Sequence, residues 1–351
     1  MRLNRAYLKL LRAGAALGIV LVLSACASTP QGAASTAAPV ALVWPEPPEA
    51  PRIAFVQAFS RPEDLGITKG FFERLWEFIV GPSEMRLIRP MAVVATPDGT
   101  IYVADPGAKG VHRFDPARRR HDLIRRADDA PLPSPVGLAA GRDGEIYVAD
   151  SALGGVFVIE SRAKAATPLA LKADIKQPTG VAFDPVHDQL VVVDTAAHEI
   201  KIFARDGTLR AAFGQRGDGD GEFNFPTLIW RDRSGQLYVT DSLNFRIQLF
   251  DANGRFLGRF GRHGDATGDL SRPKGVATDQ FGHVYVVDSM FHALQIFDRK
   301  GAFLLNIGGQ GQAPGEFWLP AGLFIGADDT LYIADAYNQR IQVLRYVGGK
   351  P

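Results

Sequence analysis

One five-residue pattern recurs six times along the 351-residue chain and constrains its fold more than any other feature. The copies are Ile101-Tyr102-Val103-Ala104-Asp105, Ile146-Tyr147-Val148-Ala149-Asp150, Leu190-Val191-Val192-Val193-Asp194, Leu237-Tyr238-Val239-Thr240-Asp241, Val284-Tyr285-Val286-Val287-Asp288 and Leu331-Tyr332-Ile333-Ala334-Asp335. Their aspartates are 45, 44, 47, 47 and 47 residues apart. Ahead of each copy stand a proline, an apolar run and a turn. Self-similarity at such a period means units that bury their apolar faces against their neighbours.

Each unit holds four strand-like pieces, as in the fifth copy: 275–279, 283–288, 294–297 and 303–307. Turn pairs such as Asp206-Gly207, Asn253-Gly254 and Lys300-Gly301 suit tight hairpins between them. Four antiparallel strands repeated at this period make propeller blades, and closing them around an axis protects strand edges that would otherwise pair with other chains. The fold expected is all-β: a six-bladed propeller with four antiparallel strands per blade. The last copy runs out after three strands. Segment 52–60 resembles the fourth strands and is expected to pair with 341–346, closing blade six. Blades span 89–347, with an insertion at 66–88. Within it, Phe71, Phe72, Leu75, Trp76, Phe78 and Ile79 share one helical face over 70–80, predicting a short amphipathic helix before blade one, either a plug on the ring or a docking element.

The repeat carries a family resemblance. Pro-x-Gly-Val-Ala, Gly-x-Val-Tyr-Val-x-Asp, Asn244-x-Arg246-Ile247, Asn338-x-Arg340-Ile341, Gln248-Leu249-Phe250 and Gln295-Ile296-Phe297 are similar to the NHL repeat. So are the linkers Gly214…Gly221-Glu222-Phe223-x-x-Pro226 and Gly308…Gly315-Glu316-Phe317-x-x-Pro320, and the resemblance implies a propeller of the NHL or TolB-like kind. Blades one to three depart from it, with Gly107-Ala108-Lys109-Gly110 and Ala196-Ala197-His198-Glu199 where Asn-x-Arg is expected.

Residues 1–25 read as a bacterial lipoprotein signal. Arg2, Arg5, Lys9 and Arg12 precede an 11-residue apolar run, Ala13 to Leu23. A membrane-spanning helix needs about 20 apolar residues, so a cleaved signal fits better than an anchor. Leu23-Ser24-Ala25-Cys26 resembles a lipobox, which implies lipidation at Cys26 and cleavage before it. Ala27, in place of Asp, implies the outer membrane and a periplasm-facing location. Residues 26–50, rich in Ala and Pro, read as a disordered tether, and 51–351 as the propeller. The formal charge of +1 becomes −3 once the four basic residues of the signal are gone, leaving 35 Lys and Arg against 38 Asp and Glu.

Chemistry is excluded more readily than assigned. One cysteine rules out a disulfide framework, a Cys₄ zinc site and a C-x-x-C-H haem attachment. There is no Gly-x-Ser-x-Gly elbow and no phosphate loop. Some NHL propellers are amidating lyases with histidine metal ligands close after the repeat's proline. Here those positions hold Met91, Val136, Thr179, Thr227, Lys274 and Ala321. His198-Glu199 lacks a second His at 202, and the Asp218–Glu222 run matches the linker pattern rather than a calcium loop. Asp105, Asp150, Asp194, Asp241, Asp288 and Asp335 read as structural residues that accept bonds from their turns. Arg118-Arg119-Arg120-His121 with Arg125-Arg126 reads as a solvated basic cluster on the hairpin between the third and fourth strands of blade one. No cofactor, metal or nucleic-acid partner is expected.

A binding surface is left. The candidate face comprises Phe245, Phe291, His292 and Tyr337 on the loops after the aspartates, with Trp318, Arg89, Arg272 and Lys274 near the channel mouth. Aromatic and Arg groups are common interface anchors. The alternative role for Phe245, Phe291 and Tyr337 is packing between blades. The function expected is a lipid-anchored, non-catalytic binding or scaffold protein of the cell envelope, with a protein, peptide or glycan partner. The alternative is a metal-dependent lyase or lactonase-type enzyme with its site at the channel.

Overall fold

A computed structural model describes residues 42–68 and 85–348. The signal read at 1–25, Cys26 and the helix read at 70–80 lie outside the described residues.

Six antiparallel sheets make the ring. Blade one is Ala92–Ala95, Ile101–Asp105, Gly110–Asp115 and Arg120–Ile124. Blade two is Pro135–Ala140, Ile146–Asp150, Gly155–Ile159 and the two-residue Thr167–Pro168. Blade three is Pro178–Asp184, Gln189–Asp194, Glu199–Ala204 and Leu209–Phe213. Blade four is Pro226–Arg231, Leu237–Asp241, Arg246–Phe250 and Phe256–Phe260. Blade five is Pro273–Thr278, Val284–Asp288, Ala293–Phe297 and Phe303–Gly308. Blade six takes Leu323–Ile325, Thr330–Asp335 and Arg340–Tyr346 from the end of the chain and Ile53–Phe59 from its beginning. The two ends meet in antiparallel register, Ile53 opposite Tyr346 and Phe59 opposite Ile341.

The second strand of each blade explains the repeating pattern. It lies within its sheet and is covered on both faces by the sheets beside it, so both alternating sets of side chains must be apolar. Val103, Val148, Val192, Val239, Val286 and Ile333 are all fully buried. Burying one such side chain stabilises by about 1.5–3 kcal/mol. The fourth strands are at the outer edge, and Phe303–Gly308 accordingly alternates half-buried and exposed residues up to the buried Ile307.

The glycine of Pro-x-Gly has a different cause. Innermost strands of adjacent blades meet backbone to backbone at the channel. A Cβ on Gly137 would stand 2.2 Å from the Thr179 carbonyl oxygen, and one on Gly275 would stand 2.6 Å from the Leu323 nitrogen. The Gly275 N–H in fact donates to the Ala321 carbonyl at 2.9 Å.

One boundary differs from the sequence expectation. The tether was expected to run to residue 50, yet Val43–Trp44 adds a fifth strand to blade six, pairing with Ala54 and Ile53. Trp44 is half-buried against the core of blades five and six, and its indole lies over Gly315. Ala/Pro composition made the whole segment look unable to bury anything, but one tryptophan supplies enough apolar area to hold the last few residues down.

Candidate functional site at the channel mouth

Four innermost strands start at their proline and the other two within three residues of it, and each second strand ends at its aspartate. The linkers between blades and the loops between second and third strands therefore share one face, around the mouth of the channel. The channel itself encloses about 180 Å³ and is walled by apolar side chains and glycines, among them Val93, Leu138, Val181, Leu228, Val276 and Leu323, together with Arg231.

The six aspartates hold this face together. All are wholly buried. Each accepts one or two backbone N–H bonds from the linker some 17 residues upstream: Ile88 and Arg89 on Asp105, Ser134 on Asp150, Lys176 and Gln177 on Asp194, Asn224 on Asp241, Ser271 and Arg272 on Asp288, Trp318 on Asp335. The other bonds come from the aspartate's own turn or third strand. Asp105, Asp150 and Asp288 take N–H groups of their loops, such as those of Ala108, Leu153 and Phe291. Asp241 and Asp335 take side chains instead: Asn244, Arg246 and Gln248 on the first, Asn338, Arg340 and Gln342 on the second. This is the physical content of the Asn-x-Arg-Ile-Gln pattern. Arg246 also donates to the carbonyls of Asp218, Gly219 and Glu222, which fixes the preceding linker. In blade three Lys201 does the work, at 2.7 Å from Asp194. Burial pushes the Asp194 carboxyl up, but its bonds from Lys201, Lys176 and Gln177 bring it below the usual carboxylate range.

Blade one fills the Gln position with His112, fully buried, its Nε2 3.7 Å from Asp105 and its Nδ1 3.0 Å from His121 Nε2. Burial, and then the Arg125 charge, lower its pKa to about 4.

The candidate residues separate into two groups. His292 is a brace: it has positive φ, and its Nδ1 accepts the Leu319 N–H of the next linker at 3.0 Å. His198 does the same for Phe225, at 3.1 Å. Phe245 is half-buried, packs on the core between blades four and five, and lies against His263 with ring centroids 4.2 Å apart and the planes tilted by 45°. Phe291 is also half-buried. Tyr337 and Trp318 face solvent, 53% and 38% exposed, and their rings lie 5.9 Å apart. Arg89 and Arg272 are exposed and Lys274 is half-buried. Burial, and then the Arg272 charge, hold the Lys274 ammonium below the usual lysine range. Sequence reasoning missed the further exposed apolar residue Leu153, which sits on the same face as Phe225, Leu243 and Met290.

The basic cluster does not stay together. Arg118 and Arg120 sit at the hairpin on the opposite face, where Arg118 meets Asp115 at 2.8 Å and Arg120 meets Asp122 at 3.0 Å. A cavity of about 550 Å³ between blades one and two opens there. Arg125 lies beyond the other end of the same strand, bonding the Ala108 carbonyl on the mouth face. Five residues of extended chain put the two halves at opposite ends of the blade. Among the described residues, no three His, Cys, Asp or Glu side chains group as metal ligands would.

Comparison with known proteins agrees with this architecture. The chain resembles, by fold, a streptogramin B lyase (TM-score 0.56, 13% identity, covering 75% of this chain and 95% of that one). It also resembles virginiamycin B lyase from Staphylococcus aureus (TM-score 0.54, 15% identity, 74% and 96% covered). A third likeness is to an auxiliary nutrient binding protein from Bacteroides thetaiotaomicron (TM-score 0.59, 12% identity, 75% and 70% covered). No curated protein matches the sequence. Residues 123–316, more than half of the chain, match the teneurin NHL domain. The protein is therefore a member of the NHL-domain family, built as a six-bladed β-propeller.

Proposed function

We propose that the protein is a lipid-anchored binding or scaffold protein of the cell envelope that engages its partner with the loop face around the channel mouth. The observation that carries this reading is the gathering of exposed large apolar side chains there. Phe225, Leu243, Met290, Trp318 and Tyr337 all lie on loops of that one face. Trp318 and Tyr337 lie ring beside ring, and exposed apolar surface rimmed by polar groups marks interaction sites on soluble proteins. The polar groups that could do chemistry on this face, the six aspartates, are committed to backbone and side-chain bonds. The Bacteroides neighbour, titled a nutrient binding protein, supports a binding role for the architecture.

The anchor belongs to this proposal. Cys26 would carry the lipid on the periplasmic side of the outer membrane. Residues 27–41 would be the leash, since Trp44 just beyond them is pinned to blade six. The test is capture from detergent-solubilised membranes with the full chain as bait. An envelope protein or peptide should come down with the wild type and be lost with the Trp318→Ala/Tyr337→Ala pair. Recovery of the bait alone, or equal recovery by the pair, overturns the reading. Cys26→Ser should release the protein from membranes.

The second reading, an enzyme of lyase type, has the fold likeness to the two lyases behind it. Against it stands the channel wall, which presents Val, Leu and Gly where ligating side chains would be needed. Stoichiometric zinc or calcium retained by dialysed protein would favour the enzyme.

A further inference from the structure

The collar around the channel mouth has an unusual charge distribution. Six four-residue segments lead into the innermost strands: 88–91, 133–136, 176–179, 224–227, 271–274 and 318–321. They contain Arg89, Lys176, Arg272 and Lys274 and no acidic residue. The six loops after the aspartates, 106–109, 151–154, 195–198, 242–245, 289–292 and 336–339, add Lys109 and again no acidic residue. The aspartates at their bases are wholly buried and saturated with donors, three of them by Lys201, Arg246 and Arg340. These twelve segments thus carry five cations and no acidic residue, the carboxylates of the linkers, such as Asp174 and Asp220, lying outside them.

Two of these cations stand on either side of Pro273. Neither the Arg272 guanidinium nor the Lys274 ammonium has an ion pair or hydrogen bond among the described residues. The backbone around them is well tied: Arg272 N–H donates to Asp288, the Arg272 carbonyl accepts from Ser289, and the Lys274 carbonyl accepts from Thr240. The main chain is therefore held in place, and only the two charged heads are unmatched. A half-buried ammonium beside a like charge is unfavourable without a counter-charge. The fold does not require it. The equivalent positions in the other five blades are Met91, Val136, Thr179, Thr227 and Ala321, none of them charged. Burial and the Arg272 charge together push the Lys274 ammonium down, in keeping with a cation that has no partner yet.

We infer that Arg272 and Lys274 form an oxyanion subsite in the collar, which seats a carboxylate or phosphate group of the ligand while the exposed aromatic side chains take its apolar part. This rests on the loop face being the binding face, and adds the chemical class of what binds there. An oxyanion between two cations gains charge-assisted bonds, and Arg supplies a planar fork for two oxygens. No covalent step is involved.

The test is thermal melting of the purified protein in sodium phosphate, in sodium acetate and in sodium chloride at matched ionic strength. Three proteins are compared: the wild type, Arg272→Gln and Lys274→Met, the last placing in blade five the residue found at Met91. The wild-type melting temperature should rise with one oxyanion above the chloride control, because a ligand that binds only the native state stabilises it by mass action. Both variants should lose that increment, with apparent affinity falling about tenfold or more, as expected for one charge-assisted hydrogen bond. A rise in phosphate alone assigns a phosphate group, and a rise in acetate alone a carboxylate. A wild-type curve that follows chloride in both salts overturns the subsite. An equal rise in all three proteins also overturns it, since that is the general effect of an excluded salt. The outcome is independent of partner capture through Trp318 and Tyr337. Capture without an anion response removes the subsite and leaves the binding face. An anion response without capture leaves the subsite and removes the partner-protein reading.

Discussion

Arg246 Nε donates to Asp241 Oδ2 at 2.8 Å, and both side chains are almost completely buried. The remaining nitrogens of the guanidinium hold three carbonyls of the linker that precedes blade four. One ion pair thus joins the end of a second strand, the start of a third strand and the inter-blade crossing. Arg340 and Asp335 repeat it in blade six, also at 2.8 Å. Removing one partner of a buried pair leaves the other charge and its acceptors uncompensated, at a cost of about 3–5 kcal/mol. Arg246→Ala should therefore lower stability by that order in a denaturant titration. Arg246→Lys should recover only part of it, because a single ammonium cannot reach three carbonyls and a carboxylate. Unchanged stability of the alanine variant would show that the pair is not what fixes the linker.

Gly275→Ala probes the backbone contact at the channel. Its Cβ would meet the Leu323 nitrogen at 2.6 Å and the Ala321 oxygen at 2.8 Å, and neither is the end of a flexible side chain. The innermost strands of blades five and six must then separate, costing about 1–3 kcal/mol. Gly258→Ala, on the outer strand of blade four with nothing within 4 Å, should cost far less. A melting comparison of the two variants checks the contrast.

His112 sets a pH response. Its folded pKa is lowered from 6.5 to about 4 by burial and by Arg125. The Asp105 carboxylate at 3.7 Å acts the other way but is already engaged by three backbone N–H groups. Between pH 6.5 and about 4 the unfolded chain binds a proton that the folded chain refuses. Stability therefore falls as the pH is lowered through that window, by up to about 3 kcal/mol from this group. His112→Gln, which installs the residue present at Gln248, Gln295 and Gln342, should flatten that part of the stability–pH curve. A curve of the same slope in the variant would remove His112 as its source.

Ring closure makes the strand Ile53–Phe59 indispensable. Among the described residues, Ile53–Phe59 is the only strand of blade six outside the C-terminal stretch, apart from Val43–Trp44 beside it. Deleting residues 52–60 should abolish or strongly lower the cooperative melt, whereas Trp44→Ala should cost only about 1–3 kcal/mol for a half-buried ring. An unchanged melting temperature in the deletion would contradict closure by this strand.

The residues themselves determined the unit, the number of blades and the kind of fold. A buried second strand demands an apolar run, a channel-side contact demands glycine, and a turn demands Asp or Gly, so these requirements are written locally and six times over. The tertiary structure alone decided which members of the loop face are free. His292 and Phe245 look like Tyr337 in sequence, all three following a rim aspartate by two to four residues. One braces a linker, one packs between blades, and of the three only Tyr337 stands in solvent, beside Trp318. The same holds for the arginines of 118–126, contiguous in sequence but divided between two faces by a single strand, and for Trp44, which finds its seat only because Gly315 is brought beneath it. Such outcomes depend on groups from adjacent blades or from opposite ends of the chain. Local pattern carries no information about them, because the burial and pairing that decide them exist only once the ring has closed.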